Sequence, residues 1–212
     1  MSRSSQSARP VIDRDQVIAE AIVLIECDGP GTLTLTKIAK SLGVTQPALY
    51  NHVDGLDDVW RAVGLIEREM LLATLANACM GRSGIDAVRA VSRAWREFAL
   101  NRPYFYKAVE RYPVAGDPDL EDAVERVVDV LKAALNGYGL DDELASHAAR
   151  TWRSALHGFV DFEIDGAHPK RHEPDLTFMH LIEVFDVGFS ALADGSIGTP
   201  TDDSPRSPKG SE

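Results

Sequence analysis

The short segment 45–53, "TQPALYNHV", concentrates side chains that can hydrogen-bond to a partner outside the protein. The amides of Gln46 and Asn51 can each pair with two atoms of an adenine edge, and the neighbouring apolar groups can contact a thymine methyl group. The segment has no Lys or Arg, so its composition favours base edges over phosphates as its main target. We predict base contacts from Gln46, Pro47, Ala48 and Asn51.

Hydroxyl, amine and imidazole groups surround these four residues and can bind phosphate oxygens instead. The free backbone amides at the starts of two helices would add further donors for anions. The predicted contacts to the DNA backbone are Thr36, Lys37, Thr45, Tyr50 and His52.

The charge of the chain is distributed unevenly. The net charge is −11, which argues against a general polyanion binder, but residues 1–53 are neutral overall and residues 54–212 carry the entire excess. Three aspartates, Asp54, Asp57 and Asp58, follow the DNA-reading segment directly. An acidic second region favours a neutral or cationic small molecule over an anionic one.

Capping and turn residues indicate three short helices, and the segment 45–53 is the last of them. Leu49 and Val53, four residues apart, are its inward anchors, which turns Pro47 and Asn51 outward. Asp13 and Gln16 resemble a capping box, while Thr and Gly residues mark the other boundaries. Starts are therefore predicted at Asp13, Thr34 and Thr45, and ends at 28–31 ("DGPG") and Gly43. This order is the helix-turn-helix arrangement.

Helical periodicity continues through almost all of residues 12–194, and no alternating strand pattern of useful length occurs. The predicted fold class is therefore all-α. We predict a helix-turn-helix DNA-binding domain at 11–56 and a helical ligand-binding and dimerisation domain at 57–194. A disordered arm at 1–10 and a disordered tail at 195–212 are predicted from their Ser, Pro and Gly content.

A long helix over 57–78 is predicted to join the two domains. Its apolar residues recur every three or four positions and form one face, which we interpret as core. That face comprises Val59, Val63, Ile66, Met70 and Ala73.

The last predicted helix, at 175–194, is apolar on nearly all sides. Its only polar stripe consists of His180, Glu183, Asp186 and Ser190. The helix around 152–162 is similarly apolar, so both need covering on a second side. A homodimer with a four-helix bundle interface would bury both helices, whereas a monomer with a central buried helix is the alternative.

Aromatic residues of the second domain could line an apolar cavity for a small molecule. The cluster comprises Trp95, Phe98, Tyr104, Phe105, Tyr106, Trp152 and Phe162. His157 could be a ligand contact, a proton-linked switch or a core histidine, and packing is the favoured interpretation of its role. The predicted ligand contacts are Trp95, Phe98, Tyr104, Phe105, Trp152, His157 and Phe162.

The sequence offers little support for catalysis or a cofactor. His168, His172, Glu173 and Asp175 lie close enough in sequence for a divalent metal, but a solvated loop explains them equally well, and we predict neither metal nor cofactor. Cys27 and Cys79 are interpreted as small buried residues. No secretory signal or membrane-length apolar run is recognised, so the predicted location is the cytoplasm.

The segment "LGVTQPALYNHV", within the span 13–60, resembles the DNA-binding domain of TetR-family transcriptional regulators. The later segments "FALNRPYFYKAV" and "TWRSALHGFVDFE" resemble a subgroup named for its Trp-His-Gly motif, here Trp152, His157 and Gly158. This resemblance implies an all-helical homodimer, usually a repressor that a small molecule releases from a palindromic operator.

One position departs from the family pattern. Where the family usually has a lysine at the start of the fourth helix, this sequence has Leu56. A missing phosphate contact there implies weaker nonspecific affinity and a shallower salt dependence. The competing interpretations are an all-helical small-molecule-binding protein or enzyme with a vestigial helix-turn-helix, and a regulator that has no small effector.

Overall fold

A computed structural model describes residues 12–108, 112–168 and 173–197. Within these ranges the chain forms nine α-helices and no β-strand, which confirms the all-α prediction. The first five helices are α1 (Arg14–Asp28), α2 (Leu35–Ser41), α3 (Gln46–Leu49), α4 (Leu56–Cys79) and α5 (Gly84–Asn101). The last four are α6 (Pro103–Ala108), α7 (Pro118–Leu135), α8 (Asp142–Ile164) and α9 (Pro174–Ala193). The predicted arm at 1–10 and residues 198–212 of the predicted tail lie outside the described residues.

The capping signals of the first two helices are present in the structure. The Asp13 carboxylate accepts from the backbone N–H of Gln16 at 2.8 Å, and the Gln16 side chain accepts from the N–H of Asp13 at 3.0 Å. Thr34 begins α2 by accepting from the N–H of Lys37 at 3.1 Å. Thr45 precedes α3 as predicted, but its hydroxyl makes no capping hydrogen bond.

Two hydrophobic cores organise the helices, and the first, the N-terminal core, holds the helix-turn-helix. Leu49 and Val53 are almost completely buried in it, against residues of α1, α2 and α4. This core extends along α4 to Val63 and also includes Phe105 of α6. The packing therefore crosses the predicted domain boundary at residue 56, and that boundary stays a prediction.

The second core, the C-terminal core, is formed by α4, α5, α6, α7, α8 and α9. Trp152 is fully buried in it, and its indole N–H donates to the hydroxyl of Ser92 at 3.1 Å. That bond satisfies two polar groups that would otherwise be costly to bury. Phe98 packs against both cores, so α5 contacts the N-terminal core as well.

The prediction of which α4 residues face inward is wrong beyond Val63. Ile66 and Met70 are 36% and 40% exposed, and Ala73 is also exposed. The buried positions instead continue through Glu67, Arg68, Leu71 and Leu75. Charged residues are almost never fully buried unless they are paired, so the sequence favoured the wrong side of this helix.

Helix α9 leaves most of its apolar surface uncovered. Only Phe178, Ile182 and Phe189 are buried, whereas Val184 and Val187 are 67% and 69% exposed. By length and composition alone α9 could cross a membrane, contrary to the expectation that no apolar run is long enough. Cys27 is exposed and Cys79 is half-buried, so the prediction that both are buried is also wrong.

Candidate nucleic-acid interface and buried cavity

The outer side of α3 and the turn after it present uncharged polar groups to solvent. Pro47, Tyr50 and Asn51 are exposed, with Tyr50 at 54%. Gln46 and Ala48 are half-buried but lie on the same short helix. We call this set, residues 46–51 without the buried Leu49, the recognition surface. It contains all four of the predicted base contacts.

A hydrogen bond fixes the recognition surface to the preceding helix. The hydroxyl of Thr36 on α2 donates to the side-chain oxygen of Gln46 at 2.8 Å. That oxygen retains a second lone pair, and the amide nitrogen remains a donor. The bond therefore orients Gln46 without using up its capacity to pair with a base.

Lys37 lies beside the recognition surface and forms a salt bridge with Asp28 at 3.2 Å. Both side chains are more than 40% exposed, so this pair contributes little to stability. A phosphate could therefore replace Asp28 as the partner of Lys37 at small cost. Thr36 and Thr45 are exposed and His52 is half-buried, which places the remaining predicted backbone contacts around the same short helices.

Asp58 has a structural partner instead of facing solvent alone. Arg14 on α1 donates to both carboxylate oxygens of Asp58, at 2.6 and 2.7 Å, and to the backbone carbonyl of His52 at 3.2 Å. These bonds hold the pKa of Asp58 below its usual value and join α1, the turn after α3 and the start of α4. Asp58 also accepts from the N–H of Asp54 at 3.0 Å.

The start of α4 is not capped by an aspartate side chain. The N-cap residue is Gly55, whose φ of 135° lies in a region that glycine adopts readily. Asp57 and Asp58 occupy the first turn, where negative charge is favourable near the positive end of the helix. Leu56 is half-buried and packs against the N-terminal core.

A cavity of about 50 Å³, lined mostly by buried residues and bordered by the half-buried Val124, Arg153 and His157, lies where α4, α5, α6, α7 and α8 meet. Its wall is unusually rich in polar and charged groups for a protein interior. These groups are contributed by Glu67, Arg68, Trp95, Tyr106, Arg153 and His157. Apolar residues of α4 and α7 complete the lining.

Three of these side chains form a hydrogen-bonded chain. The indole N–H of Trp95 donates to the hydroxyl of Tyr106 at 2.9 Å, and that hydroxyl lies 2.6 Å from Nδ1 of His157. The tyrosine therefore links α5 to α8 through its single polar atom. Burial raises the pKa of the Tyr106 hydroxyl, so it stays neutral in its role of donor and acceptor.

The charged groups of the cavity are held close together without direct pairing. Glu67 is 2% exposed, and its Oε1 has no hydrogen-bond partner among the described residues. Burial raises the pKa of Glu67 to about 7, while Arg68 and Arg153 act on it only through their electrostatic fields. Burial also lowers the pKa of both Arg68 and Arg153.

Of the predicted ligand contacts, only Trp95 and His157 line this cavity. Tyr104 is exposed beside Gly29, and Phe162 is exposed on α8. The other three are placed in the cores: Phe105 in the N-terminal core, Trp152 in the C-terminal core, and Phe98 against both. Glu67, Arg68, Tyr106 and Arg153 also line the cavity but are not among the predicted ligand contacts, although Tyr106 belongs to the predicted aromatic cluster.

Comparison with known proteins shows which family this architecture belongs to. Residues 88–185 match the family described as the tetracyclin repressor-like C-terminal domain. An uncharacterized HTH-type transcriptional regulator, Rv0681 from Mycobacterium tuberculosis, is 37% identical over 161 residues, which cover 75% of this chain and 74% of that protein. The chain belongs to the TetR family of transcriptional regulators.

Solved structures share the TetR-family fold. BioQ from Mycobacterium smegmatis is 21% identical, with a TM-score of 0.67 over 85% of this chain and 99% of that one. A TetR variant from Acinetobacter baumannii AYE in complex with minocycline is 21% identical, with a TM-score of 0.64 over 86% and 99% of the two chains.

TetR-family membership also decides the question of catalysis. The similar proteins are transcription regulators and not enzymes, so the prediction that this chain is not an enzyme is confirmed, and the vestigial-enzyme alternative is set aside. Among the described residues, no group of three or more His, Cys, Asp or Glu side chains could hold a metal ion. His172 lies outside the described residues.

Proposed function

We propose that this TetR-family regulator is a repressor that binds a palindromic operator as a homodimer and is released by a small molecule. The recognition surface carries this proposal, because it exposes groups that suit base edges on a rigid base of buried Leu49 and Val53. Gln46, Pro47, Ala48 and Asn51 read bases, and Thr36, Lys37, Thr45, Tyr50 and His52 bind the backbone. Residues 11–56 are the DNA-binding domain and 57–194 the effector and dimerisation domain.

The uncovered surfaces of α8 and α9 support the homodimer. Exposed apolar residues on these helices include Phe162, Met179, Val184 and Val187. A Cβ atom added at Gly158 or Gly188 would meet no atom within 4 Å, so both glycines leave room for close approach of another helix. A second copy of α8 and α9 would complete a four-helix bundle and bury this surface.

The same interface accounts for the apolar character of α9 without a membrane. Glu183 of α9 pairs with Arg89 at 2.7 Å, and Asp186 accepts from the Tyr138 hydroxyl at 2.6 Å. Charged residues of this kind are costly within a bilayer, and here they join α9 to the rest of the domain. A cytoplasmic location follows for a soluble regulator that binds DNA.

Two elements can transmit an effector signal to the recognition surface. Helix α4 contributes Val63 to the N-terminal core and Glu67, one turn later, to the cavity wall. In α6, the adjacent residues Phe105 and Tyr106 enter the N-terminal core and the cavity respectively. A ligand that repositions either helix would change the spacing of the two recognition surfaces in the dimer. Its effect is limited by its differential affinity for the two states.

The relative from Acinetobacter that was solved with minocycline supports a small-molecule effector for this chain as well. We assign the effector site to the cavity next to Tyr106. Two recognition surfaces in successive major grooves require half-site centres about 34–36 Å apart, or a multiple of that distance.

The test is a gel shift with purified full-length protein and the DNA upstream of its own gene. Specific retention in moderate salt, competed by the same DNA and not by a shuffled sequence of equal length, is the expected result. Sedimentation of the same preparation should give a dimer. A monomer at micromolar concentration, or equal competition by the shuffled DNA, would contradict the proposal.

A further inference from the structure

The net charge of the cavity wall is positive, whereas the net charge of the domain that contains it is negative. Residues 54–212 carry the whole net charge of −11, yet the cavity combines two guanidinium groups with one carboxyl group. Arginine keeps its positive charge in proteins even where burial lowers its pKa. The local charge is therefore positive whether or not Glu67 is ionised, and the acidity of the domain is a poor guide to the ligand.

The charged side chains of the cavity wall do not pair with each other, which leaves them available to a ligand. Glu67 forms no salt bridge with Arg68 or Arg153 in the described part of the chain, and its Oε1 has no partner there. Buried polar groups in folded proteins are almost always hydrogen-bonded, and an unpaired one requires an explanation. A ligand with complementary groups would satisfy the carboxyl and the two guanidinium groups together.

Gly64 positions one of these guanidinium groups. Nη1 of Arg68 donates to the carbonyl oxygen of Gly64 at 2.9 Å, so the side chain lies against its own helix. A Cβ atom at residue 64 would lie 2.9 Å from that same Nη1. Glycine at this position is what allows the guanidinium to occupy its place at the cavity wall.

The volume of the cavity restricts the size of the ligand. About 50 Å³ holds roughly three or four water molecules, or an organic molecule of a few heavy atoms. Drug-sized ligands occupy cavities of about 300–1,000 Å³. In this conformation the cavity therefore suits a short acid far better than a polycyclic drug.

We propose that the cavity binds a small hydroxycarboxylic acid, with its carboxylate held by Arg68 and Arg153 and its hydroxyl donating to Oε1 of Glu67. Guanidinium groups are the preferred donors for carboxylates in protein interiors, because their planar geometry offers paired N–H groups. The inference rests on the proposed function, since it names the chemical class of the effector at that site.

Proton uptake is an expected signature of anion binding here. Arg68 of α4, Arg153 of α8 and Arg102 before α6 act on Glu67 through their electrostatic fields. Tyr106 of α6 and His157 of α8 are the other titratable side chains of the cavity wall. A bound carboxylate adds negative charge nearby and favours protonated Glu67, whose pKa burial already raises to about 7. Affinity should therefore increase as pH falls from about 8 to about 6, by at most tenfold per pH unit for one proton.

The experiment is calorimetric titration of the full-length protein with glycolate, followed in parallel by intrinsic tryptophan fluorescence, because Trp95 lines the cavity. Three probes of similar size serve as comparisons. Acetate lacks the hydroxyl, ethanolamine replaces the anion by a cation, and ethylene glycol carries no charge. We expect glycolate to bind with a Kd on the order of 1 mM, acetate to bind more weakly, and the other two not to bind.

Variants test which side chains hold the carboxylate. Arg153→Met should weaken glycolate binding at least tenfold. Its matched control is Arg150→Met on the same helix, which removes an exposed arginine paired with Glu125 and should leave the affinity unchanged. Gly64→Ala should also weaken binding by displacing Arg68, and it keeps every charge. Glu67→Gln should reduce the pH dependence that the wild type shows.

Stronger binding of ethanolamine than of glycolate would overturn the inference, and so would the absence of any response to glycolate at concentrations on the order of 10 mM. Equal glycolate affinity in Arg153→Met, Gly64→Ala and wild type would do the same. A gel shift on the same preparation separates this inference from the proposed function. Operator retention without glycolate binding contradicts only the ligand class, whereas glycolate binding without operator retention contradicts only the proposed operator binding.

Discussion

The recognition surface and the cavity hold their polar groups under opposite physical conditions. On the recognition surface, Gln46 is half-buried and bonded to Thr36, and Asn51 in the turn after α3 is exposed, so a neighbouring hydroxyl and water satisfy these uncharged amides in the free protein. In the cavity, Glu67 is 2% exposed and the two arginines beside it have no direct salt bridge to its carboxyl in the described residues. Polar groups on the first surface cost nothing in the free protein, while those in the cavity cost stability that only function would preserve.

The two regions are connected by helices that belong to both. Helix α4 carries Val63 in the N-terminal core and Glu67 in the cavity wall, and α6 carries Phe105 and Tyr106 in the same way. A change at the buried site can therefore reach the exposed one through side chains only one turn, or one residue, away. Because the polar groups of the cavity are buried and those of the recognition surface are exposed, substitutions in the cavity should mainly change stability. Substitutions on the recognition surface should mainly change DNA affinity.

The largest expected effect is on the free energy of unfolding and comes from a substitution in the cavity. Glu67→Gln removes a carboxyl whose pKa burial raises from 4.5 to about 7. Between those values the folded state retains a proton that the unfolded state has lost, so wild-type stability falls as pH rises through this window and stays lower above pH 7. The variant should gain about 3 kcal/mol in free energy of unfolding at pH 8 and almost nothing at pH 4.

Denaturant unfolding at both pH values, at one fixed protein concentration, measures this difference. Glu69→Gln on the same helix is the matched control, because Glu69 is exposed and its partner is the exposed Arg126. A loss of stability at pH 8 in Glu67→Gln would mean that the ionised carboxylate is favourable in the native state. The cavity would then resemble an ordinary buried ion pair.

The second prediction concerns the recognition surface and should show the reverse pattern. Asn51→Ala removes an exposed amide, so operator affinity should fall about 10- to 100-fold, as expected for the loss of one bidentate base contact of about 1–3 kcal/mol. The free energy of unfolding should change by less than about 0.5 kcal/mol. Gel shifts and denaturant unfolding of the same preparation check both values, and a large stability loss would show that Asn51 is structural.

How far each region could be predicted from sequence follows from the same contrast. Leu49 and Val53 anchor α3 at helical spacing, and the Asp13–Gln16 capping box has a local signature, so the helix-turn-helix elements and the all-α class were predictable. Such signals lie within a few residues of each other and need no tertiary information.

The cavity could not be predicted in the same way. Glu67 and Arg68 are charged residues on the buried side of α4, and periodicity arguments place charged residues on the solvent side. Arg153 joins them from a helix more than eighty positions later, and only tertiary packing brings the three together. The missing Cβ of Gly64 makes room for Arg68, which only the folded structure shows.

A third, smaller effect tests how the recognition surface is held in place. Asp58→Asn removes the charged partner of Arg14, which also donates to the carbonyl oxygen of His52. Because Arg14 is substantially exposed, the loss should be only about 1 kcal/mol in stability, with a several-fold decrease in operator affinity. The effect should disappear as pH falls through the lowered pKa of Asp58, since the wild-type carboxylate is then protonated as well.

Asp57→Asn is the matched control for Asp58→Asn, because Asp57 is exposed in the same first turn of α4. It should change operator affinity slightly, and in the direction of tighter binding, since one negative charge near the DNA is removed. Equal behaviour of the two variants in gel shifts would show that Asp58 acts through its charge alone and that its bond to Arg14 does not position the recognition surface.

The smallest predicted effect concerns the residue between the recognition surface and α4. Leu56→Lys places a cation where the family usually has one, and the half-buried leucine contributes little packing that a lysine stem cannot replace. If one phosphate contact is gained, the slope of log K against log salt should become steeper by about 0.9. Operator and shuffled DNA should gain affinity by the same factor, because a phosphate contact carries no sequence information. Gel shifts over a salt series measure both slopes, and an unchanged slope would show that DNA does not approach Leu56 closely, which would place the backbone contacts on α2 and α3 alone.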